Sequence, residues 1–474
     1  MGAPLELGHA RTEITPELGI PMGGYAARGA RGCEEVEDPL FADVLVLRQG
    51  GERIVLAALD VVNIEERWGW RMREGVGRRL GLPPERVIVL ASHTHFGPAT
   101  GAGSSVPVTQ EKHRRWADRT VEAVIDAAVQ ADARREPVTL HVGRRDVSPM
   151  VYNRRLRRPD GTCCIVYQLP LPPDEEGLTF GPVEPNLTLL RFDGAAGKPA
   201  LYLVSAAIHP VVGGGNFYGI SADYPGVLRQ ALERAGGAPA VFALGTAANL
   251  VPIQRGPGQR ERIGRYLAGA ALEAAALAQP TGVRLAFRHE RIELPAGRRL
   301  PPDEMAKAVA AARARAAAAR AAGASRWEVQ RAEDEAEHLE ALRKAAELRG
   351  PGDTVPFEIS AIALGDLGIL CLPGEIFAET GLHLQARSPF PKTLVLSLAN
   401  QATGYLPTRA AMWAGGYEMR VSQMSEESEE AACAAGVRLL LQVWEAALAK
   451  ARGDAAAASA SPGEGRAEGA PSSD

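Results

Sequence analysis

Three places in the chain carry histidine or glutamate directly after a short apolar run. His93 and His95 follow the apolar run 87–90, His209 follows another, and Glu375 comes after a third. Ligands collect beyond the carboxyl ends of strands in α/β sheets, so these side chains are candidates for one site. Two histidines and one glutamate form a common catalytic zinc site that leaves a position open for water. The pattern therefore predicts a metal-dependent hydrolytic centre.

Each of these residues also has an ordinary structural interpretation. A His-x-His pair is as often a hydrogen-bonded structural feature as a ligand set. A single histidine after a strand, such as His209, is more often a satisfied buried histidine. Tyr405 follows the apolar run 393–398 and, taken alone, indicates a turn with a packed tyrosine. The joint arrangement favours the metal site, and the single positions leave both interpretations open.

The elements that must position the His-x-His pair follow a β-β-α-β order. Residues 44–47 and 54–59 are apolar runs joined across two glycines, which predicts a hairpin. Residues 64–80 are amphipathic, and residues 87–90 form a short apolar strand, so the crossover implies parallel strands buried between helices. Similar apolar runs recur at residues 201–208, 240–244, 359–364, 369–372 and 393–398. We predict an α/β fold with mixed β-sheets flanked by helices.

Residues 1–452 are predicted to form one catalytic domain, which ends in a helix over residues 425–452. Within it, residues 302–349 are dominated by Ala, Arg and Glu with one break at Gly323, which predicts a helical hairpin excursion. This hairpin is either a lid or oligomer contact, or a solvated excursion, and its charge favours the latter. Residues 453–474 are rich in Ala, Ser, Gly and Pro and are expected to be a disordered tail.

Overall charge and cysteine usage exclude several classes of partner. A net charge of -4 and a pI of about 6.2 argue against a nucleic-acid or anionic-membrane footprint. The 5 cysteines are scattered without a CxxC motif, which predicts neither a disulfide framework nor a thiolate zinc site. No stretch has the features of an export signal or a transmembrane segment. We therefore expect a cytoplasmic protein that acts on a small molecule.

Several short motifs, taken together and in order, resemble the neutral, non-lysosomal ceramidase family over residues 14–418. The matching pieces include Gly24-Tyr25, Asp38-Pro39-Leu40, Ser92-His93-Thr94-His95, Asn153-Arg154, Ala207-Ile208-His209-Pro210, Ser221-Ala222-Asp223-Tyr224-Pro225-Gly226, Pro373-Gly374-Glu375, Tyr405 and Gly416-Tyr417-Glu418. The resemblance implies that zinc is held by His93, His209, Glu375 and Tyr405. It also implies that His95, Arg154 and Tyr417 line the reaction centre.

The chain departs from the family at two points. A serine with a catalytic role in the family is aligned with Val251 here, and valine cannot act as a nucleophile. We therefore expect catalysis to use the zinc-activated water directly. The family's C-terminal immunoglobulin-like domain has no counterpart in this sequence, which removes one reason to expect action at a membrane surface.

The resulting hypothesis is zinc-dependent hydrolysis of the amide bond of an N-acyl substrate, either ceramide-like or another N-acyl amine. His95 would move a proton to the leaving nitrogen, and Arg154 with Tyr417 would stabilise the oxyanion. Asp60 and Asp223 either orient ligand histidines or cap turns. The alternatives are a zinc esterase or amidase for a small non-lipid metabolite, a catalytically silent ligand-binding relative, and, more weakly, a zinc phosphoesterase.

Overall fold

The structure is a computed structural model of the 474-residue chain. It describes residues 3–25, 28–101, 108, 110–171, 176–282, 284–297, 301–324 and 354–460, with scattered residues between 328 and 343. Two large mixed sheets and the helices that cover them make up most of this part of the chain.

The first sheet contains 9 strands and carries the two histidine loops. Its strands are β1 (Leu5–Glu13), β3 (Phe41–Gln49), β4 (Glu52–Leu59), β5 (Val87–Ala91), β6 (Glu136–Asp146), β10 (Asn186–Asp193), β11 (Pro199–Ala206), β13 (Ala240–Leu244) and β15 (Gln279–Pro280). Their order is β13-β11-β10-β6-β1-β3-β4-β5, with β15 beside β6. The pairs β4–β5 and β11–β13 are parallel and the others antiparallel, so the sheet is mixed.

The second sheet contains 4 strands: β16 (Leu285–Pro295), β17 (Thr354–Leu364), β18 (Leu367–Cys371) and β20 (Lys392–Leu396). Only β18–β20 is parallel. Apolar side chains of this sheet, including Ile362 and Ile369, share one buried cluster with Leu56 and Leu90 of the first sheet. The two sheets therefore pack face to face.

Helices cover the outer face of each sheet. They are α1 (Glu66–Leu80), α2 (Glu111–Ala133), α3 (Asp223–Gly236), α4 (Gln259–Leu277), α5 (Pro302–Ala321), α6 (Ala378–Arg387), α7 (Arg409–Ala414), α8 (Tyr417–Val421) and α9 (Ser428–Ala460). Side chains of α1 to α4 pack on the first sheet, and those of α6 and α9 pack on the second. The layers run helix, sheet, sheet, helix, which confirms the predicted α/β fold with mixed sheets.

Four two-stranded ribbons connect the loops at the edges of these layers. They pair β2 (Glu35–Val36) with β12 (Gly219–Ile220), β7 (Val151–Asn153) with β14 (Leu250–Pro252), β8 (Arg155–Arg157) with β9 (Cys163–Ile165), and β19 (Glu375–Ile376) with β21 (Tyr405–Leu406). The last pair is parallel and sets Glu375 beside Tyr405. The β8–β9 ribbon is a local hairpin, and the other three bring together segments that are farther apart in the sequence.

The predicted β-β-α-β order is confirmed. Strands β3 and β4 form an antiparallel hairpin whose turn includes Gly50 at φ 57. The side chain of Glu65 caps the start of α1 by accepting from the amide of Trp68, and Gly81 ends it at φ 66. The crossover returns to β5, which is parallel to β4. The sequence pattern was sufficient here because the apolar period changes from element to element, and glycines or prolines mark the hairpin turn and the end of the helix.

The last helix is longer than predicted. Helix α9 (Ser428–Ala460) continues past Arg452, because the alanines that follow have a high intrinsic helix propensity. The predicted disordered tail beyond Ala460 lies outside the described residues. One described helical segment, Ser428–Ala451, is long and apolar enough to cross a membrane by composition alone. Its buried side chains, such as Leu440 and Val443, pack on the second sheet.

Part of the predicted helical hairpin over residues 302–349 is described. Its first arm is α5, and Gly323 follows it at φ 63, where the break was predicted. Arg315 and Arg320 of α5 pair with Glu335 and Glu333 of the second arm, the former at 2.7 Å. Residues 325–327 and much of the second arm lie outside the described residues.

Candidate metal centre

His93 lies just beyond the end of β5 in a strained backbone conformation. Its φ of 67° is rare for a residue with a side chain. Its amide donates to Val61 O at 2.9 Å, and its ring Nδ1 lies 2.5 Å from Val62 O. Because a carbonyl oxygen can only accept, we assign the ring proton to Nδ1. The lone pair of Nε2 therefore points away from the carbonyl and into the site.

His209 is held in the same way beyond the end of β11. Its Nδ1 lies 3.0 Å from Ala247 O, and its amide donates to Leu250 O at 3.1 Å. Burial, and then the neighbouring His93 and Arg154, lower the pKa of His209 well below its usual value. The ring is therefore neutral, with an unprotonated Nε2.

The Nε2 atoms of His93 and His209 face each other at 2.9 Å. If both rings carry their proton on Nδ1, two lone pairs meet there without a proton between them, which is unfavourable in a buried site. A cation between the two nitrogens removes this conflict. The donor chemistry therefore fits a metal ion.

Glu375 lies at the same place. Its Oε2 is 3.4 Å from His93 Nε2 and 3.8 Å from His209 Nε2. This oxygen is buried and has no hydrogen-bond partner among the described residues, as expected of a carboxylate that binds a metal ion. Burial, and then the charge of Glu375, raise the pKa of the adjacent Tyr405 well above its usual value. Three of the predicted ligands, His93, His209 and Glu375, thus lie around one point, and Tyr405 is the strand partner of Glu375.

His95 also reaches this point. Its Nε2 lies 3.4 Å from His93 Nε2, and potential ligand atoms of His93, His95 and His209 all lie within 4.8 Å of one another. Its Nδ1 is buried without a hydrogen-bond partner among the described residues. Two ligand sets are therefore compatible with the geometry. One contains Glu375 and Tyr405 and leaves His95 free, and the other contains all three histidines.

Arg154 and Tyr417 lie beside Tyr405. Arg154 Nη2 donates to Tyr405 OH at 3.3 Å, and the ring centroids of Tyr405 and Tyr417 are 5.9 Å apart. Burial alone would lower the pKa of Arg154, but the carboxylate of Glu418, together with Tyr405 and Tyr167, more than offsets it and raises this pKa well above its usual value. Arg154 is therefore a fixed positive charge at the edge of the centre.

Glu418 is a buried carboxylate whose contacts beside the candidate centre were not predicted from the sequence. It is fully buried, and its two oxygens accept from Arg154 Nε at 2.7 Å and Arg155 Nη1 at 2.6 Å. It thus holds Arg154 in place and neutralises part of the local positive charge. The sequence offered a signal, because a charged residue in Gly416-Tyr417-Glu418 next to the predicted Tyr417 needs a partner if it is buried.

Two roles had been left open for Asp60 and Asp223, and their described hydrogen bonds do not support the one in which they orient ligand histidines. Asp60 Oδ2 accepts from the amide of Phe41 at 2.9 Å and from Arg229. Asp223 Oδ2 accepts from the amide of Val212 at 2.7 Å. The ligand rings are oriented by backbone carbonyls instead, and a sequence gives no direct signal for these.

The loop after β13 presents alanine to the centre. Ala248 packs in a cluster with Tyr405, whereas Val251 is fully buried on β14, opposite Tyr152 of β7. Val251 is therefore part of a ribbon, and Ala248 is the small side chain next to a candidate ligand. Neither side chain can act as a nucleophile.

No protein-family model matches the chain, and no curated protein matches it. The fold is similar to that of two solved structures. The first is neutral ceramidase from Pseudomonas aeruginosa, with a TM-score of 0.71 and 19% identity, covering 94% of this chain and 75% of that one. The second is a ceramidase complexed with C2, with a TM-score of 0.70 and 18% identity, covering 94% and 76%. The chain thus has the neutral ceramidase fold.

Proposed function

We propose that this protein is a zinc-dependent hydrolase that cleaves the amide bond of an N-acyl substrate. The observation that carries the proposal is the approach of the Nε2 atoms of His93 and His209 to 2.9 Å beside the unpartnered Oε2 of Glu375. Such a donor set suits zinc with an open position. Similarity to the ceramidase fold supports amide hydrolysis as the reaction.

His93, His209, Glu375 and Tyr405 are the residues that would hold the ion. When bound, zinc supplies Lewis acidity toward the carbonyl and makes water a better nucleophile near neutral pH. Among the two compatible ligand sets we favour this one, because it accounts for the unpartnered oxygen of Glu375. It also leaves His95 free for proton transfer.

In the proposed reaction a water oxygen bonds to the carbonyl carbon, the C–N bond breaks, and the nitrogen leaves with a proton. His95 would accept the proton from water and deliver it to the nitrogen. Arg154, fixed by Glu418, would face the carbonyl oxygen as negative charge develops on it. Tyr417 would contribute a hydroxyl at the same side. Ala248 leaves room at the centre and supplies no competing nucleophile.

The first test is the zinc content of wild type and two alanine variants. We expect about one zinc per wild-type chain and a large loss in His209→Ala, since this variant lacks one of the two imidazole ligands proposed to hold the ion. His95→Ala should keep its zinc but lose most of its rate, on the order of 100-fold or more in kcat. If His95→Ala instead loses the metal as fully as His209→Ala, the ligand set contains three histidines and the proton-transfer role is refuted.

Activity should be measured on an N-acyl amine and on the matching ester. Release of the same fatty acid from both makes the two rates directly comparable. A zinc-loaded wild type that cleaves the ester alone would replace the amidase proposal by an esterase. A zinc-loaded wild type that cleaves neither would favour a silent ligand-binding relative.

A further inference from the structure

Arg255 is a cationic side chain without an anionic partner beside the candidate centre. It follows β14 in a loop fixed by two backbone hydrogen bonds, from Ile253 to Met150 at 2.9 Å and from Gly256 to Val212 at 2.8 Å. Its Nε is buried and has no hydrogen-bond partner in the described part of the chain. Burial lowers the pKa of Arg255, which two nearby tyrosines, Tyr25 and Tyr152, only partly offset. A guanidinium in this position favours an anionic ligand.

Tyr25 adds a second buried donor, its hydroxyl group. Its OH is buried and also has no hydrogen-bond partner among the residues described. Burial raises the pKa of Tyr25 to about 12 even though Arg255 and Arg28 act in the opposite direction, so the hydroxyl keeps its proton and can donate. Arg255 is the strongest charged neighbour of Tyr25. The two loops are also in contact, because Gly256 donates to Val212 O at 2.8 Å and a Cβ on Gly215, in the same loop as Val212, would lie 3.6 Å from Tyr25 Cδ1. The two unpartnered donors therefore lie near each other.

The other charged groups in this region are already paired. Arg28 donates to backbone carbonyls, among them Gly23 O at 2.9 Å and His95 O at 2.5 Å. Asp223 accepts from two backbone amides, and burial raises its pKa to about 7, which makes it a weak counter-ion for Arg255. The hydroxyl of Tyr152 donates to Val166 O at 3.1 Å. Among the described residues of this region, Arg255 and Tyr25 thus remain available to a ligand.

The position of Tyr25 indicates which half of the substrate this pair would meet. Its ring packs edge-on against the ring of His95, with centroids 4.9 Å apart. Gly24 brings the backbone so close that a Cβ there would lie 2.5 Å from His95 Cγ. In the proposed reaction His95 protonates the leaving nitrogen, so a group next to Tyr25 belongs to the amine half. Arg154 and Tyr417 lie on the side of Tyr405 instead.

We propose that Arg255 and Tyr25 form an anion subsite for the amine half of the substrate, and that the preferred substrate is an N-acyl amino acid bound through its free carboxylate. This inference rests on the proposed amide hydrolysis. A guanidinium and a hydroxyl match the two oxygens of a carboxylate, and the guanidinium fork gives such a contact direction as well as charge. The neutral amine half of a ceramide would leave both donors without a partner.

The test compares N-dodecanoylglycine with its neutral primary amide, N-dodecanoylglycinamide, using the zinc-loaded full chain and release of dodecanoate for both. We expect wild type to prefer the carboxylate by at least about tenfold in kcat/KM. Arg255→Met should reduce that preference by about 10- to 100-fold, the value of one charged hydrogen bond. Arg255→Lys should retain part of it. Arg265→Met, which removes the same charge from an exposed position on α4, is the matched control and should keep the wild-type ratio.

Other outcomes separate the subsite from the reaction. If dodecanoate is released equally from both substrates, or if Arg255→Met keeps the wild-type ratio, the subsite is refuted while amide hydrolysis stands. If zinc-loaded wild type cleaves neither substrate, the proposed function fails, and calorimetric binding of N-dodecanoylglycine then tests the subsite by itself. Binding at least tenfold weaker to a folded Arg255→Met or Arg255→Lys than to wild type supports the subsite, and equal binding overturns it.

Discussion

Replacing Glu418 by glutamine tests whether this buried carboxylate holds the arginine of the candidate centre. Glu418 is fully buried and is the shared partner of Arg154 and Arg155, at 2.7 Å and 2.6 Å. Glutamine keeps the shape but removes the charge, so two buried guanidinium groups lose their counter-ion. Breaking a buried ion pair from one side costs about 3–5 kcal/mol of the free energy of unfolding. We expect a loss in this range by urea denaturation.

The matched control is Glu430→Gln. Glu430 pairs with Arg409 at 3.4 Å, but its side chain is 80% exposed, so the same substitution should cost less than about 1 kcal/mol. In activity assays Glu418→Gln should lower kcat at least about tenfold with KM nearly unchanged, because Arg154 is proposed to act on the transition state. A stability loss below about 1 kcal/mol, or an unchanged kcat in a folded variant, would refute the reasoning.

Two further predictions concern pH and the core. Because burial raises the pKa of Asp223 to about 7, the folded state binds this proton more tightly than the unfolded state, and the Asp223 contribution to stability falls as pH rises from about 4 to 7. The unfolding free energy of wild type minus that of Asp223→Asn should therefore decrease over this window by up to about 4 kcal/mol, and a flat difference in denaturation series would contradict the shift. Leu440→Ala, at a fully buried position on α9, should cost about 2–5 kcal/mol by thermal or urea denaturation. Leu448→Ala, at a position 39% exposed, should cost much less, and equal losses would mean that this helix does not pack as described.

The strands that carry the histidines were predictable because each is a short apolar run that ends at a polar motif. Residues 240–244 were predicted as a strand with the bounds of β13, and His93 follows its strand as expected. The conformation of His93 was not predictable. A φ of 67° is stabilised by contacts with Val61 O and Val62 O, which depend on where a neighbouring loop passes. The pattern of residue types near His93 in the sequence does not predict such contacts with a neighbouring loop.

The joining of Glu375 and Tyr405 also depends on tertiary structure. Each lies in a strand of only 2 residues, and the parallel pairing of β19 with β21 sets them side by side. Strands this short have no apolar periodicity to detect. The residue pattern by itself favoured a packed tyrosine at position 405. Tyr405 was identified as a candidate ligand only through the family resemblance. The face-to-face packing of the two sheets was likewise not predictable, because the alternation of apolar and polar residues along one strand does not show which other sheet that strand packs against.

One short segment, residues 221–223, connects both histidine loops. Ser221 O accepts from Thr94 Oγ1 at 2.6 Å, and the amide of Ser221 donates to Phe96 O at 3.0 Å. Two residues later, Asp223 accepts from the amide of Val212, three positions beyond His209. Both loops are thus fixed to the start of α3 by hydrogen bonds that do not involve a metal. The approach of the two imidazoles is therefore a property of the protein scaffold, and little ordering remains to be done when an ion binds.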